Sequence, residues 1–401
     1  MNPIYAALEI GTTRTLLAVA QTEASGRLRI LCHAEIPSSN VRKSEICNID
    51  QARDSIRSVL RKAAEAMDAS GAGIEIGNAY LVVSGAHVQA THAEGNVPVC
   101  GKAVDPDLME EVARAADIVP LADDRELLDF VKQDYVLDGR KGLTNPEGMS
   151  GNNLKLNVLR VHADRHKFMD ARNAADAAHL EICEGVFAAT CAADAVLEDH
   201  EKRNGVLVLD LGGGTTGYAA YSDGYLAAAG VIGVGGDHIT NDIARAFQMT
   251  NAQAEEIKRH EASADLAAQS GEEPRVKVAG ASALMRDYTI SRHALKTVVN
   301  ARVTELFDII REKLEAAGLL GLLHAGCVLT GGGAALNGID AIAERVFGCA
   351  VRIGRPLHID GLEDVENPAS FAAISGALLQ AQTSEPQSAP ILSGLFKKFF
   401  S

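Results

Sequence analysis

Leu209-Asp210-Leu211-Gly212-Gly213-Gly214-Thr215 repeats, about two hundred residues on, the pattern of Leu8-Glu9-Ile10-Gly11-Thr12-Thr13. In each copy an apolar run, Ile4 to Ile10 or Gly205 to Leu209, ends near an acid and is followed by glycine and threonine. A second apolar run then begins, at Leu16 in one copy and after Thr216 in the other. Both read as strand, tight turn, strand. Such a duplication implies two similar lobes facing one another. Coincidence of short Gly/Thr strings is the competing reading for either copy taken alone.

A third corner, Thr330-Gly331-Gly332-Gly333, closes the apolar strand Cys327 to Thr330. Small residues where a strand turns let backbone N–H groups approach an anion without a side chain intervening. Three such corners are expected of a nucleotide clamped between lobes. A dinucleotide site would need Gly-x-Gly-x-x-Gly opening a helix, and a P-loop would need Gly-Lys-Ser/Thr; neither occurs. Glu9 and Asp210 end the matching strands and suit a hydrated Mg²⁺ bridging phosphate oxygens, which makes them the catalytic candidates. Simple solvation of strand ends is the alternative. Gly235-Gly236-Asp237-His238 leads into a helix, and beyond it Glu255 and Lys258 share a helix face. Read alone, those two are a solvated ion pair.

Composition narrows the partners. The formal charge of -15 argues against a nucleic-acid partner, which clustered Lys and Arg would bind. Seven widely spaced cysteines without Cys-x-x-Cys spacing read as reduced thiols. No basic segment followed by a long apolar run opens the chain, and no run of about 18 apolar residues occurs, so a cytoplasmic protein with peripheral membrane contact is expected.

At 401 residues the chain is long enough for two or three domains. Apolar spacing predicts helices over 50–67, 106–117 and 291–317, and a strand over 154–162, with a turn-rich stretch at 139–151. An α/β fold follows. The expected division is a first lobe over 1–83, an inserted α+β subdomain over 84–163 and the first lobe resumed over 164–203. The second lobe then covers 204–246, its small subdomain 247–325 and its continuation 326–355. Residues 356–381 return to the first lobe, 382–393 form a flexible linker and 394–401 an amphipathic helix.

The order of these motifs resembles the superfamily of actin, heat-shock chaperones and sugar kinases. Within it, the segments Gly235 to Ala244, Ala254 to Lys258, Asn145 to Gly151 and Val328 to Gly333 are similar to the FtsA family of bacterial actin-like cell-division proteins. The resemblance implies a two-lobed actin-like fold that binds ATP. It assigns phosphate contacts to Thr12, Thr13, Gly213, Gly214 and Thr215, with Gly11, Gly212, Gly235 and Gly331 among the nucleotide-binding residues. Ribose and adenine would meet Gly236, Glu255, Lys258, Gly332 and Gly333. It further implies self-assembly into filaments, recruitment of other division proteins at the septum, and binding of the C-terminal tail of the tubulin-like FtsZ by Arg302 and Glu305. The longer Glu9 in place of the usual aspartate, and alanines at 192 and 193 in place of a water-orienting glutamate, imply slow hydrolysis at most. An actin-like protein of type IV pilus assembly, or a sugar kinase, is the alternative.

Leu395, Phe396, Phe399 and Phe400 fall on one face of a short C-terminal helix, with Lys397 and Lys398 beside them. Burying four such side chains stabilises by roughly 6 to 12 kcal/mol. Ordering eight residues costs about 1.5 kcal/mol each, a similar sum. Each lysine adds on the order of 1 kcal/mol near anionic lipid. A single tip is thus a marginal anchor, and several on one polymer bind by avidity. Phe396→Glu is expected to abolish flotation with anionic liposomes and to leave ATP affinity unchanged.

Overall fold

The computed structural model describes residues 3–69, 76–266, 275–280 and 287–384. The first sheet starts as an antiparallel meander of β1 (Ile4–Ile10), β2 (Arg14–Thr22) and β3 (Leu28–Pro37). Leu8, Leu16, Leu17 and Val19 are fully buried in it. A small hairpin follows, β4 (Val41–Arg42) and β5 (Glu45–Ile46). The Asn48 carboxamide then accepts from the Gln51 N–H and starts α1 (Ile49–Ala69), whose buried Ile56, Val59, Ala63 and Met67 lie on the sheet. β6 (Asn78–Val83) runs parallel to β1.

The inserted sheet has the order β7-β10-β8-β9, from β7 (Gln89–Pro98), β8 (Arg125–Leu137), β9 (Arg140–Leu143) and β10 (Asn153–Asp164). α2 (Pro106–Asp117) covers it, capped by the Asp105 carboxylate. The helix lies so close to Gly95 that a Cβ there would sit 2.1 Å from the Val112 carbonyl oxygen. β9 is a short strand inside the stretch expected to be turn-rich. Asp138 and Gly139 both take positive φ and fold the chain back onto β8. The insert also reaches the second lobe, where Gln133 donates to the Leu226 carbonyl at 2.9 Å.

The first lobe resumes with α3 (Arg165–Ala177), β11 (Glu181–Phe187), α4 (Ala188–Val196) and α5 (Asp199–Asn204). The second sheet is built from β12 (Val206–Leu211), β13 (Thr216–Ser222) and β14 (Tyr225–Ile232). Then come α6 (Gly236–Ala246), α7 (Asn251–His260), the pair β15 (Arg275–Val278) and β16 (Tyr288–Ser291), and α8 (Arg292–Ala316). β17 (Gly326–Thr330), α9 (Ile339–Phe347) and β18 (Val351–Ile353) complete this lobe. The chain returns beside β3 through β19 (Ile359–Asp360) and ends its described part in α10 (Ala372–Thr383).

The duplication read from two short strings holds at the level of topology. Strand order β3-β2-β1-β6-β11 in the first sheet matches β14-β13-β12-β17-β18 in the second, two antiparallel steps followed by two parallel ones. Between the sheets lie α4 and α10. β12 faces both ways: Val206 and Val208 join the core shared with the first lobe, while Leu207, Leu209 and Leu211 join a second core under α6, α8 and α9.

One boundary differs from expectation. Residues 382 and 383, expected to open a flexible linker, belong to α10, with Ala381 buried and Gln382 donating to the Gly26 carbonyl. The predicted tip, Leu395 to Phe400, lies outside the described residues. No described helix is long and apolar enough to cross a membrane.

α4 and α10 cross almost in backbone contact at Gly376, where a Cβ would sit 1.7 Å from the Cys191 carbonyl oxygen. Gly376→Ala should therefore push the central helices apart and destabilise by about 1–3 kcal/mol. Gly77→Ala, with nothing within 4 Å of the added methyl, should be neutral by the same thermal melting experiment.

Candidate functional site

The two predicted corners are built alike. Gly11 N–H donates to the Arg14 carbonyl at 2.9 Å, and Gly212 N–H donates to the Thr215 carbonyl at 3.0 Å. Each closes a four-residue turn at the end of a matching strand. The corners also meet. A Cβ on Gly213 would lie 2.1 Å from Thr13 Oγ1, and one on Gly214 would lie 2.5 Å from Thr12 Oγ1. Glycine is required at both positions because a threonine from the opposite lobe occupies the space a side chain would need.

The other predicted residues gather around the second corner. A Cβ at Gly235 would be 2.6 Å from both the Gly212 and Gly213 carbonyl oxygens. Gly236 and Asp237 N–H groups donate to those carbonyls, so the first amides of α6 are already satisfied. Gly331, at φ +81°, packs its backbone on Asp210 and Leu211. Gly333 rests on Leu211, and Gly332 faces open space.

Glu255 and Lys258 are not the solvated pair that spacing alone suggested. The Lys258 side chain is 15% exposed and bonds Glu255 at 2.6 Å, Thr240 Oγ1 at 2.9 Å and the Gly236 carbonyl at 3.2 Å. The pair fastens α7 to the first turn of α6. Burial raises the Glu255 carboxyl, but bonds from Lys258, Thr240 and Arg259 outweigh it and hold it down at about 2.

Glu9 and Asp210 occupy equivalent places, each one residue before its strand ends. Burial pushes Asp210 up to about 7, aided by the Glu9 charge and opposed by Arg14. Glu9 is raised as well, by burial, against the pull of Arg14. Two hard oxygen donors crowded together in this way fit a divalent cation such as Mg²⁺. Among the described residues no group of three or more His, Cys, Asp or Glu forms a closed metal cage.

Sequence reasoning missed several neighbours. Arg14 bonds Glu35 at 2.5 Å and the Ser370 carbonyl at 2.6 Å, and lies over the Phe371 ring. Asp237 stands beside Gly213, its carboxyl raised by burial. Lys43 and Ser44 form the turn of the β4–β5 hairpin, and Ser44 N–H donates to Thr12 Oγ1 at 2.9 Å. A pair of two-residue strands carries no alternation to read, and only the corners' own sequence was legible.

Arg302 and Glu305 lie elsewhere, in a groove of about 540 Å³ lined also by Asp242, Arg245, Ala246, Val298 and Ala301. Arg302 is more than half of an intrahelical pair. It bonds Glu305 at 2.5 Å and holds Asp242 on α6 through two nitrogens, at 2.5 and 3.0 Å.

Two family profiles match the chain: cell division protein FtsA over residues 207–376, and the SHS2 domain inserted in FtsA over residues 85–162. The chain is 32% identical to cell division protein FtsA of Pseudomonas aeruginosa over 372 residues, 93% of this chain and 88% of that one. It belongs to the FtsA family. The FtsA of Escherichia coli K12 is 31% identical over 380 residues, 92% of this chain and 88% of that one. Among solved structures the PilM–PilN type IV pilus biogenesis complex matches at TM-score 0.66 and 18% identity, over 95% of this chain and 99% of that one. MreB5 of Spiroplasma citri bound to ADP matches at TM-score 0.56 and 15% identity, over 95% and 96%. These likenesses show the actin-like fold. An FtsA-family actin-like cell-division protein with the inserted SHS2 domain is the identification they support together.

Asp210 carries a stability cost. Its folded carboxyl sits above the ordinary value of 3.8, at about 7, so charging it opposes folding, and stability from this group falls as pH rises from about 4 through 7. Asp210→Asn is expected to stabilise the nucleotide-free protein at pH 8 by on the order of 1 kcal/mol or more, and to have little effect near pH 4. Thermal melting across that range checks it.

Proposed function

We propose that this FtsA-family chain binds MgATP between its lobes and, so loaded, assembles on the inner face of the cytoplasmic membrane at the septum. There it tethers FtsZ filaments and recruits later division proteins. The observation that carries the reading is the crossed contact of the corners, Thr12 with Gly214 and Thr13 with Gly213. The Thr12 and Thr13 hydroxyls of one lobe and the Gly213–Gly214 backbone of the other meet there, at the ends of the strands that carry Glu9 and Asp210. A bound phosphate chain would be gripped from both sides.

Glu9 and Asp210 would hold a hydrated Mg²⁺, which would supply positive charge to the phosphates. Thr12, Thr13 and Gly213 to Thr215 hold phosphates, while Gly235, Gly236, Glu255, Lys258 and Gly331 to Gly333 border ribose and adenine. MreB5 structures described as bound to ADP and to AMPPNP support nucleotide binding by this fold. Turnover is slow at most, because Ala192 and Ala193 are fully buried in α4 and offer no group to orient water.

The tail of FtsZ docks in the groove around Arg302 and Glu305, where cationic and anionic groups alternate beside Val298 and Ala301. Charge reversal at Arg302 would also break its grip on Asp242, so Glu305 is the cleaner probe. The C-terminal residues Leu395 to Phe400 supply the lipid contact, cooperatively within a polymer.

Reconstitution on anionic vesicles with FtsZ and MgATP tests the whole reading. Wild type should recruit FtsZ. Gly213→Val, which drives a side chain into Thr13, should lose ATP binding at least tenfold. Glu305→Lys should bind ATP normally and recruit no FtsZ; unchanged recruitment would remove the groove from the account.

A further inference from the structure

The three glycine corners contain N–H donors, hydroxyls and carboxylates, and their nearby cations are already engaged. Arg14 is held by Glu35 and the Ser370 carbonyl, and Lys258 by Glu255, Thr240 and the Gly236 carbonyl. A polyphosphate entering the cleft would face Glu9, Asp210 and Asp237 with no free basic side chain from the corners themselves.

Lys43 is placed to fill that gap. Its backbone lies on the second corner: a Cβ at Gly214 would sit 2.9 Å from Lys43 Cα. Its side chain runs along Gly233, with Nζ 3.4 Å from where a Cβ would be. The residue is exposed, and its ammonium has no hydrogen bond or ion pair among the described residues. The hairpin that carries it is fixed from the first lobe, by Ser44 N–H on Thr12 Oγ1 at 2.9 Å and by Lys167 on Glu45 at 2.7 Å. A first-lobe lysine therefore leans across the mouth of the cleft onto second-lobe backbone.

The hairpin's backbone adds a second, independent observation. Lys43 and Ser44 take φ of +50° and +61°, the left-handed pair of a two-residue turn that Asn-Gly adopts with least strain. Residues held in that region against their preference cluster at ligand clamps and switches. Lysine here gives up local stability and places an exposed charge beside Gly233, with its backbone on the Gly214 corner.

We propose that Lys43 is a phosphate-binding residue that contacts the β- and γ-phosphates of the bound nucleotide and so couples the β4–β5 hairpin to the nucleotide state. This rests on the nucleotide reading of the cleft. The β4–β5 hairpin then becomes a third wall of the phosphate site, alongside the two crossed corners.

Equilibrium binding of Mg-ATP, Mg-ADP and AMP to the full chain tests it. Lys43→Met should lower ATP affinity roughly ten- to a hundredfold, as loss of a charge-assisted bond does, with AMP affinity unchanged. Lys43→Arg should stay within a few-fold of wild type. Lys43→Gly separates binding from folding: it relieves the positive φ, so its melting temperature should hold or rise while ATP affinity falls as in Lys43→Met. Wild-type ATP affinity in Lys43→Met would overturn the proposal alone. So would a loss in AMP affinity equal to that for ATP, or a fall in affinity matched by a fall in melting temperature in Lys43→Gly. Absence of ATP binding in the wild type would overturn the cleft reading and this one together.

Discussion

Two turns from opposite lobes touch through hydroxyls and bare Cα atoms, and the rest of the molecule is arranged so that they can. The Gly213 and Gly214 backbone must come within van der Waals reach of Thr13 and Thr12. That demands two sheets of the same topology, presented end on, with their acids at equivalent places. It also demands that nothing bulky separate the sheets behind the corners. α4 and α10 meet this condition by crossing at Gly376 with almost no gap, and the alanine-rich sequence of α4 is buried throughout most of its length.

Electrostatics at the corners follow from the same closeness. Burial raises both carboxyls, the Glu9 charge adding to the rise at Asp210 and Glu35 to that at Glu9, and Arg14 only partly relieves them. The nucleotide-free state is thus less comfortable than the fold alone would require. Such stored cost is a common accompaniment of a functional cleft, and under the proposed reading MgATP would relieve it.

Much of this was legible in the residues. Glycine and threonine after a strand-end acid, written twice, announced the duplication and located the corners, because a tight turn beside an anion admits few residue types. Helices at 50–67, 106–117 and 291–317 were visible because their apolar periodicity spans several turns. The double role of Lys258 was not, since spacing by three places Glu255 within reach on the helix surface but says nothing of the Gly236 carbonyl that α6 brings to it. Arg302 is similar: its sequence neighbour Glu305 was evident, whereas Asp242, 60 positions away, is a partner only in three dimensions. The β4–β5 hairpin escaped notice because two-residue strands have no pattern, and β9 because Asp138 adopts a backbone conformation that sequence alone rarely assigns to it.

Strand β12 buries alternate residues in two different cores, Val206 and Val208 on one side and Leu207 and Leu209 on the other. A single ribbon of backbone is thereby common property of both halves. Pulling it out would open each interior simultaneously, so denaturant should meet these halves as one cooperative block. Rotation of one half upon the other must then proceed by small slippage at shared helices, never by separation of independent globules.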